Sequence, residues 1–467
     1  MERSQQTTVL VVTTVTGFLA TFIASSVNIA LPLIQSEFHV SAPTLGWVSL
    51  SYVLAMGALL MPMGRVADIR GRKAIYLVGS AGFALFTLAC AVSPSVEILL
   101  VLRLIQGAAG GMLFSTFTVL VILAFPPETR GRGLGIQIAG VYLGLTLGPV
   151  LGGVISHNAG WRALFIIVGA LALVNTVIPF WTLRSVEWKE PRSAPFDYLG
   201  SFAWAVALSV LLLGFSLLPK VVGAVLVGLG VLGLAVFFWW ENRAKDPILN
   251  VELLRRNRVF AYSNLAAFIN YAATFAMTFL MSLYLQYNRG LDAQSAGFIL
   301  VTGAFLQTAF SPVAGRLSDK FNARIIASAG MSLSVLGLFA FAFLSETTPW
   351  WYVVAVLCVL GVGIAFFATP MTHTIMGSIE NRHVGVAGAI LATMRVTGQS
   401  FSQGIATLVL AVVVGRHAIQ SADYPHLLTS VRITFAIFAA LCLVGVAASL
   451  VRPRLAAGRS IPKLWRN

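Results

Sequence analysis

The amino-acid sequence predicts an all-α integral membrane protein with fourteen membrane-spanning helices. Of its 467 residues, 58% are hydrophobic and only 10% are charged, whereas a soluble globular protein carries about 25% charged residues. The apolar residues form long runs of about 20 residues, which is the length that a helix needs to cross the hydrocarbon core. Basic residues concentrate in alternate loops between the runs, as is typical of a multi-pass membrane protein.

The apolar runs define fourteen candidate spans and divide the chain into four parts. The runs lie at 7–34, 43–63, 74–93, 97–124, 133–157, 162–182, 198–218, 221–240, 258–287, 293–313, 324–344, 350–378, 384–415 and 429–452. Two long polar stretches bracket the seventh and eighth runs and set them apart as a hairpin. The predicted parts are an N-terminal six-helix bundle (1–184), cytoplasmic linkers with an inserted two-helix hairpin (185–257), a C-terminal six-helix bundle (258–452) and a basic cytoplasmic tail (453–467).

The distribution of positive charge predicts the orientation of the chain. The net charge is +15, and most of the 31 Lys and Arg fall in the tails and in the loops on the side of the N-terminus. The opposite side holds Arg162, Lys220, Arg289, Arg416 and Arg432. This bias follows the positive-inside rule. It therefore predicts a protein of the cytoplasmic (inner) membrane with both termini in the cytoplasm, rather than a protein that binds nucleic acid.

The cysteines and the first apolar run carry no special function in this interpretation. Cys90, Cys358 and Cys442 lie within predicted spans, so we expect buried apolar side chains and no disulfide or metal site. The first run is too long for a cleaved signal peptide and is predicted to be the first span.

A short Gly-Arg-x-x-Asp pattern occurs once in each predicted six-helix bundle. Its members are Gly64, Asp68, Gly71 and Arg72 in the first copy and Gly315 and Asp319 in the second. The first copy resembles motif A of the major facilitator superfamily, whose transporters are built from two parallel six-helix repeats. The resemblance implies that Asp68 caps a helix end and pairs with Arg, latching the two halves at the cytoplasmic face.

The fifth predicted span contains glycines at four-residue spacing. Gly144, Gly148 and Gly152 share one helix face and permit close approach of another backbone, and Pro149 removes a backbone donor and bends the helix. This pattern resembles motif C, which is associated with the exporter branch of the superfamily. Residues 102–107 resemble motif B.

Other segments resemble the fourteen-helix drug:proton antiporter family of the superfamily. They are 27–32, 161–162, 196–200, 283–286 and 395–399. The resemblance implies the major facilitator fold, with a substrate site between the two bundles. It also implies export of small amphipathic compounds by alternating access, driven by the proton-motive force and without a bound cofactor.

The chain departs from this family in its acidic residues. The family usually has an Asp in the first span where this chain has Ile23, and no Asp or Glu lies in the middle of a predicted span. The carboxylate that antiporters use for protons and for cationic drugs is therefore missing. The proton-coupling candidates that remain are Asp68 and His373, since histidine can change charge near neutral pH.

The charges in the middle of predicted spans are positive. Insertion of Arg103 or Arg395 into the middle of the membrane costs at least about 2.5 kcal/mol each, so we expect each side chain to face a cavity or a partner. Polar side chains at helical spacing continue from both. We predict a substrate cavity lined by Asn28, Arg103, Gln106, Asn270, Thr274, Arg395, Gln399 and Gln403. For Arg103 the alternative is pairing with backbone carbonyl groups of the first helix, and for the polar stripes it is hydrogen bonding between helices.

The leading hypothesis is a secondary exporter of small amphipathic compounds. The alternative keeps the fold and changes the cargo to an anionic metabolite, siderophore or lipid-like molecule held by the arginines, or removes proton coupling. We expect no enzyme, because no catalytic or metal-binding cluster occurs, and no ATP-driven pump, because the chain has no Gly-Lys pair and hence no P-loop. The expected partners are the lipid bilayer and a small-molecule substrate, with no nucleic acid, and the expected state is a monomer.

Overall fold

The fourteen predicted spans are helices in the computed structural model of the protein. The structure describes residues 3–182, 196–244, 247–249, 251–379 and 384–450. The predicted basic tail (453–467) and most of the first linker lie outside the described residues. The predicted fold class, two six-helix bundles with a two-helix insertion, is confirmed.

The N-terminal bundle contains six helices and the inserted hairpin two. The helices are α1 (Arg3–Phe38), α2 (Ala42–Arg70), α3 (Arg72–Ala91), α4 (Val96–Ala124), α5 (Pro127–Ala159) and α6 (Trp161–Thr182), followed by α7 (Tyr198–Leu217) and α8 (Val221–Glu241). Successive helices cross in opposite directions. We call the side on which α1 begins, at Arg3, the N-side, and the side on which it ends, at Phe38, the far side.

The C-terminal bundle begins after a short connecting helix. The connecting helix is α9 (Val251–Arg256), and the elements of the bundle are α10 (Arg258–Thr274), α11 (Met277–Leu283), α12 (Ala293–Lys320), α13 (Ala323–Phe341), α14 (Trp350–Gly377), α15 (Val384–Val413) and α16 (Tyr424–Ser449). A π-helical turn, Tyr284–Asn288, continues α11.

The ninth span is broken in its middle, where the sequence predicts one continuous helix. α10 ends at Thr274 and α11 begins at Met277. The backbone N–H of Ala276 at the break donates to Ser402 Oγ on α15 at 3.0 Å. Since a backbone donor inside the membrane needs a partner within the protein, this hydroxyl makes the break possible.

Glycines on one face of α5 bring that helix against α1. A Cβ added at Gly144 would overlap the Phe18 carbonyl oxygen, and one added at Gly148 would overlap Ser25 Oγ. The Thr21 hydroxyl on α1 also donates to the Val141 carbonyl oxygen at 2.9 Å. Backbones this close gain dispersion contacts and interhelical hydrogen bonds, which drive helix association in lipid.

The inserted hairpin lies across a seam between the two bundles. The Trp204 indole N–H on α7 donates to the Gly57 carbonyl oxygen on α2 at 3.2 Å. On the same helix, the Phe215 ring packs edge-on against Phe401 of α15, with ring centroids 6.0 Å apart. α7 therefore contacts both bundles, while α8 packs on α7 and exposes most of its apolar side chains outward.

Two alanine substitutions in α5 test the glycine contact. We expect Gly144→Ala to lower the melting temperature of the purified protein, because the new methyl group meets the α1 backbone and overpacking costs about 1–3 kcal/mol. Gly135→Ala is the control: no atom of another helix among the described residues lies within 4 Å of its added Cβ, and alanine is the better helix former. Equal melting temperatures for the two variants would contradict the close α1–α5 contact.

Candidate functional site

A narrow cavity lies between the two bundles near the middle of the membrane. Its wall is mostly apolar and aromatic, with few polar groups. The lining residues are Ala20, Thr21, Ala24, Tyr52, Val53, Met56, Phe114 and Leu145 from the N-terminal bundle and Phe275, Arg395, Val396 and Gln399 from the C-terminal bundle. The cavity is thus made jointly by the two halves of the chain.

The cavity is small in this arrangement of the helices. The space open to the centre of a water-sized sphere is about 20 Å³, enough for one or two water molecules by the usual measure of about 10–15 Å³ each. Pockets that hold drug-sized ligands enclose about 300–1,000 Å³. The two bundles must therefore move apart before such a molecule can fit.

Arg395 is the charged group of the cavity wall, and it is held by aromatic rings. Its guanidinium carbon lies 5.3 Å from the ring centroid of Tyr271 on α10 and 5.9 Å from that of Tyr142 on α5. Within the described part of the chain, Arg395 has no hydrogen-bond or ion-pair partner. Ring faces attract a cation but leave its N–H donors free, so Arg395 can donate to a ligand that enters the cavity.

Arg103 lies inside the N-terminal bundle instead of on the cavity wall. It is fully buried. Its Nε donates to the Val48 carbonyl oxygen at 3.0 Å and its Nη1 to Gln106 Oε1 at 2.7 Å. Its guanidinium group also lies over the Tyr52 ring, 4.5 Å from the centroid. The structure thus places Arg103 in the carbonyl-pairing arrangement that was the alternative, with the carbonyl supplied by α2 and not by the first helix.

The remaining polar residues predicted for the cavity are buried in helix contacts. Gln106 joins Arg103 to Thr87, with Gln106 Nε2 donating to the Thr87 hydroxyl at 2.6 Å. Asn28 Oδ1 accepts from Ser49 Oγ at 2.5 Å. Of the predicted set, Arg395 and Gln399 line the cavity and the others do not.

Two of these buried residues have unsatisfied side-chain amides. Asn270 and Gln403 are both fully buried, and neither their carbonyl oxygens nor their amide nitrogens have a hydrogen-bond partner among the described residues. The Thr274 hydroxyl, one turn after Asn270, donates to the backbone carbonyl oxygen of Asn270 at 2.8 Å and leaves the side-chain amide unpaired. Unpaired buried amides are costly, so an arrangement of α10 and α15 that gave them hydrogen-bond partners would be favoured.

Hydrogen bonds on the far side join the two bundles. They run from Ser282 Oγ to the Asn28 carbonyl oxygen (2.8 Å), from Gln286 Nε2 to the Ile29 carbonyl oxygen (3.1 Å), from the Tyr287 hydroxyl to Gln35 Oε1 (2.7 Å) and from Gln35 Nε2 to the Ile419 carbonyl oxygen (3.1 Å). Gly153 of α5 also packs on the Ala293 carbonyl oxygen of α12. These contacts close the route from the cavity to the far side.

The first Gly-Arg-x-x-Asp copy forms an ion pair within the N-terminal bundle. Arg72 donates from Nε to Asp68 Oδ1 at 2.8 Å, across the turn at Gly71, whose φ of 108° favours glycine. In the second copy, the Asp319 side chain lies outside the described residues. His373 is exposed near the N-side end of α14, and its role in proton coupling stays a prediction.

Comparison with known proteins fits this architecture. The family model described as Major Facilitator Superfamily matches residues 13–402 and again 263–466. The chain belongs to the major facilitator superfamily. It is therefore a membrane transporter of that family, and the predicted family resemblance is confirmed.

Curated relatives of the transporter include drug-resistance proteins. The multidrug resistance protein Stp of Mycobacterium tuberculosis is 31% identical over 88% of this chain and 77% of its own length. The methylenomycin A resistance protein of Streptomyces coelicolor is 30% identical over 82% of this chain and 81% of its own length. The riboflavin transporter RibZ of Clostridioides difficile is 27% identical over 86% and 87% of the two chains.

A solved structure supports the fold. The crystal structure of a bacterial homologue of the human lysosomal transporter Spinster, inward-facing and unoccupied, superposes with a TM-score of 0.69 over 96% of this chain and 97% of that one. The two sequences are 14% identical, so the likeness concerns the fold alone.

Sequence reasoning missed the aromatic part of the site. Tyr142 and Tyr271 hold Arg395, and Phe114 and Phe275 line the cavity. Tyr142 stands two residues before Gly144 and Tyr271 directly after Asn270. The periodicity used for the polar stripes could not find these tyrosines, because residues one or two positions apart lie on different faces of a helix.

The two intramembrane arginines should differ in their effect on stability. Arg103→Ala removes the donors to Val48 and Gln106, and leaving a buried acceptor unpaired costs about 1–3 kcal/mol. Arg395→Ala breaks no hydrogen bond within the described chain. We expect a clear drop in melting temperature for Arg103→Ala and little change for Arg395→Ala, measured by thermal unfolding in detergent. The reverse order would contradict the roles assigned here.

Proposed function

We propose that this transporter exports small amphipathic compounds by alternating access, driven by the proton-motive force. The observation that carries the proposal is the cavity between the bundles, whose wall combines apolar and aromatic side chains with few polar groups. Such a wall binds molecules by apolar area and fixes their orientation with a few polar contacts. The drug-resistance relatives support export as the direction of transport.

Alternating access is supported by the closure of the far side around a central cavity. The bundles are hydrogen-bonded to each other on the far side, and the central cavity is too small for cargo. Transport to the far side requires these bonds to break while the bundles separate. The unpaired amides of Asn270 and Gln403 favour such a change, because a rearrangement can give them partners.

The proposed setting is the inner membrane with the N-side in the cytoplasm. Most Lys and Arg lie in loops on the N-side, which is the cytoplasmic side under the positive-inside rule. The transporter works there as a monomer, with the lipid bilayer and a small-molecule substrate as its partners and without a bound cofactor.

A second candidate function is export of an anionic or carbonyl-bearing compound. It is favoured by Arg395, which lines the cavity, rests on two tyrosine rings and has no anionic partner among the described residues. A carboxylate ligand would receive charge-assisted hydrogen bonds from it. A cationic drug would instead meet a like charge there.

Transport in proteoliposomes separates the two candidates. The probes are ethidium as a cation, carboxyfluorescein as an anion and methylenomycin A, with and without an imposed pH gradient. Under the second candidate, Arg395→Ala lowers carboxyfluorescein flux at least about tenfold, the equivalent of 1.4 kcal/mol, and spares ethidium flux. Arg395→Lys keeps the charge and is the matched control.

The same assay can contradict each part of the proposal. Flux of ethidium alone, unchanged in Arg395→Ala, would exclude the anion candidate. Flux that ignores the pH gradient would exclude the proton-motive force as the drive. Absence of flux for all three probes would count against export of amphipathic compounds.

Covalent closure of the far side tests alternating access. We expect Gln35→Cys/Tyr287→Cys, joined by a short bismaleimide in a variant without the native cysteines, to lose nearly all flux, because the bridge holds the two bundles together where Tyr287 donates to Gln35. The control is Glu37→Cys/Arg162→Cys, whose native side chains pair within the N-terminal bundle. Unchanged flux in the bridged first variant would contradict far-side opening.

A further inference from the structure

Two acidic residues meet at the N-side base of the α7/α8 hairpin. Asp197 directly precedes α7, and its Oδ1 accepts the backbone N–H of Gly200 at 2.8 Å, which caps that helix. The Trp240 indole N–H donates to both of its oxygens, at 3.0 and 3.2 Å. Asp197 is thus supplied with donors that suit a charged carboxylate.

Glu241, the last residue of α8, is in a different environment. It is 3% exposed, and it is the only buried acidic residue within the described part of the chain. Its Oε2 accepts the Leu249 backbone N–H at 2.8 Å. Its Oε1 is buried and has no hydrogen-bond partner among the described residues.

The unpaired oxygen of Glu241 faces Asp197. A Cβ added at Gly200 would overlap both Asp197 Oδ2 and Glu241 Oε1, so the two oxygens border the same gap beside this glycine. Two carboxylates this close, one of them buried, repel each other when both are ionised. A proton between them would give Glu241 Oε1 the hydrogen bond that it lacks.

None of the described charged and titratable groups around the pair donates a hydrogen bond to Glu241 Oε1 in place of that proton. Arg243, two residues after Glu241, stacks on the Trp239 ring with its guanidinium carbon 4.0 Å from the centroid. Tyr198 is mostly exposed and packs on Phe196. The chain at 248–249 contributes apolar side chains and the backbone N–H already named.

We propose that Asp197 and Glu241 form a proton-binding site that holds one proton between Asp197 Oδ2 and Glu241 Oε1. The proton comes from water on the N-side and returns to it, forming and breaking one O–H bond with no other reactant. When it leaves, two negative charges face each other at the base of the hairpin. α7 contacts both α2 and α15. A change in the charge of the Asp197/Glu241 pair at the start of α7 therefore affects the contact between the two bundles. The site rests on the proposed function only in that the N-side water is then cytoplasmic.

Infrared pH-difference spectra of the purified protein in lipid test the site without any cargo. The titration starts at about pH 6.5, where exposed carboxyl groups with ordinary pKa values of about 4 are ionised, and ends near pH 9.5. We expect a protonated carboxyl C=O band that is lost on alkalinisation in the wild type. It should be absent in Glu241→Gln and in Asp197→Asn.

The variants are chosen to preserve the fold. Glutamine keeps an acceptor for the Leu249 N–H, and asparagine is as good a helix cap as aspartate. Glu97→Gln is the control, because Glu97 is exposed at the far-side start of α4, and it should keep the band. A wild-type spectrum without the band, or a band that survives either substitution, would overturn the proposal.

Thermal unfolding gives a second and independent readout. At the start of the titration the folded pair binds a proton that the unfolded chain does not hold, so stability falls as pH rises. We expect the melting temperature of the wild type and Glu97→Gln to fall by about 2–4 °C more than that of Glu241→Gln across the titration. Parallel pH profiles for all three proteins would overturn the proposal. A failure of cargo transport would leave both readouts intact and would count against the proposed function alone.

Discussion

The cost of placing a guanidinium group in the membrane governs the organisation of this protein. Each intramembrane arginine needs hydrogen-bond acceptors for its N–H groups, or aromatic ring faces, inside the helix bundles. Arg103 meets the requirement within one bundle, through Val48, Gln106 and the Tyr52 ring. Arg395 meets it partly, through one ring from each bundle. The first arrangement fixes a bundle, while the second leaves donors free at the junction of the two.

The junction itself depends on close backbone contact. α5 lies against α1 through its glycines and against α12 through Gly153. On the far side the bundles share side chain to carbonyl hydrogen bonds. These bonds involve few side chains, and the hydrogen bonds of Arg103 lie within one bundle, so they do not have to break when the bundles separate. A transporter needs this combination of firm bundles and a junction that can open.

Much of the architecture was predictable from sequence because lipid imposes simple rules. Apolar runs of the right length gave the fourteen spans, and the motif at Gly144 predicted a close helix contact that the structure contains. The cavity was predicted less well. Polar residues in spans must face inward, but Gln106 and Asn28 satisfy that rule inside helix contacts. Sequence periodicity cannot tell a bundle core from a cavity wall, and it treats Glu241 as a loop residue although the fold buries it.

The position of α7 also affects how a lipid-soluble molecule can approach the cavity. Amphipathic compounds partition into the bilayer, so they can approach a transporter sideways as well as from water. A molecule that diffuses in the membrane plane toward the seam of α2 and α15 meets α7 first, which is anchored to both helices through Trp204 and Phe215. The seam of α5 and α12 has no such cover from the hairpin. The insertion therefore makes the two lateral faces of the transporter unequal toward the surrounding lipid.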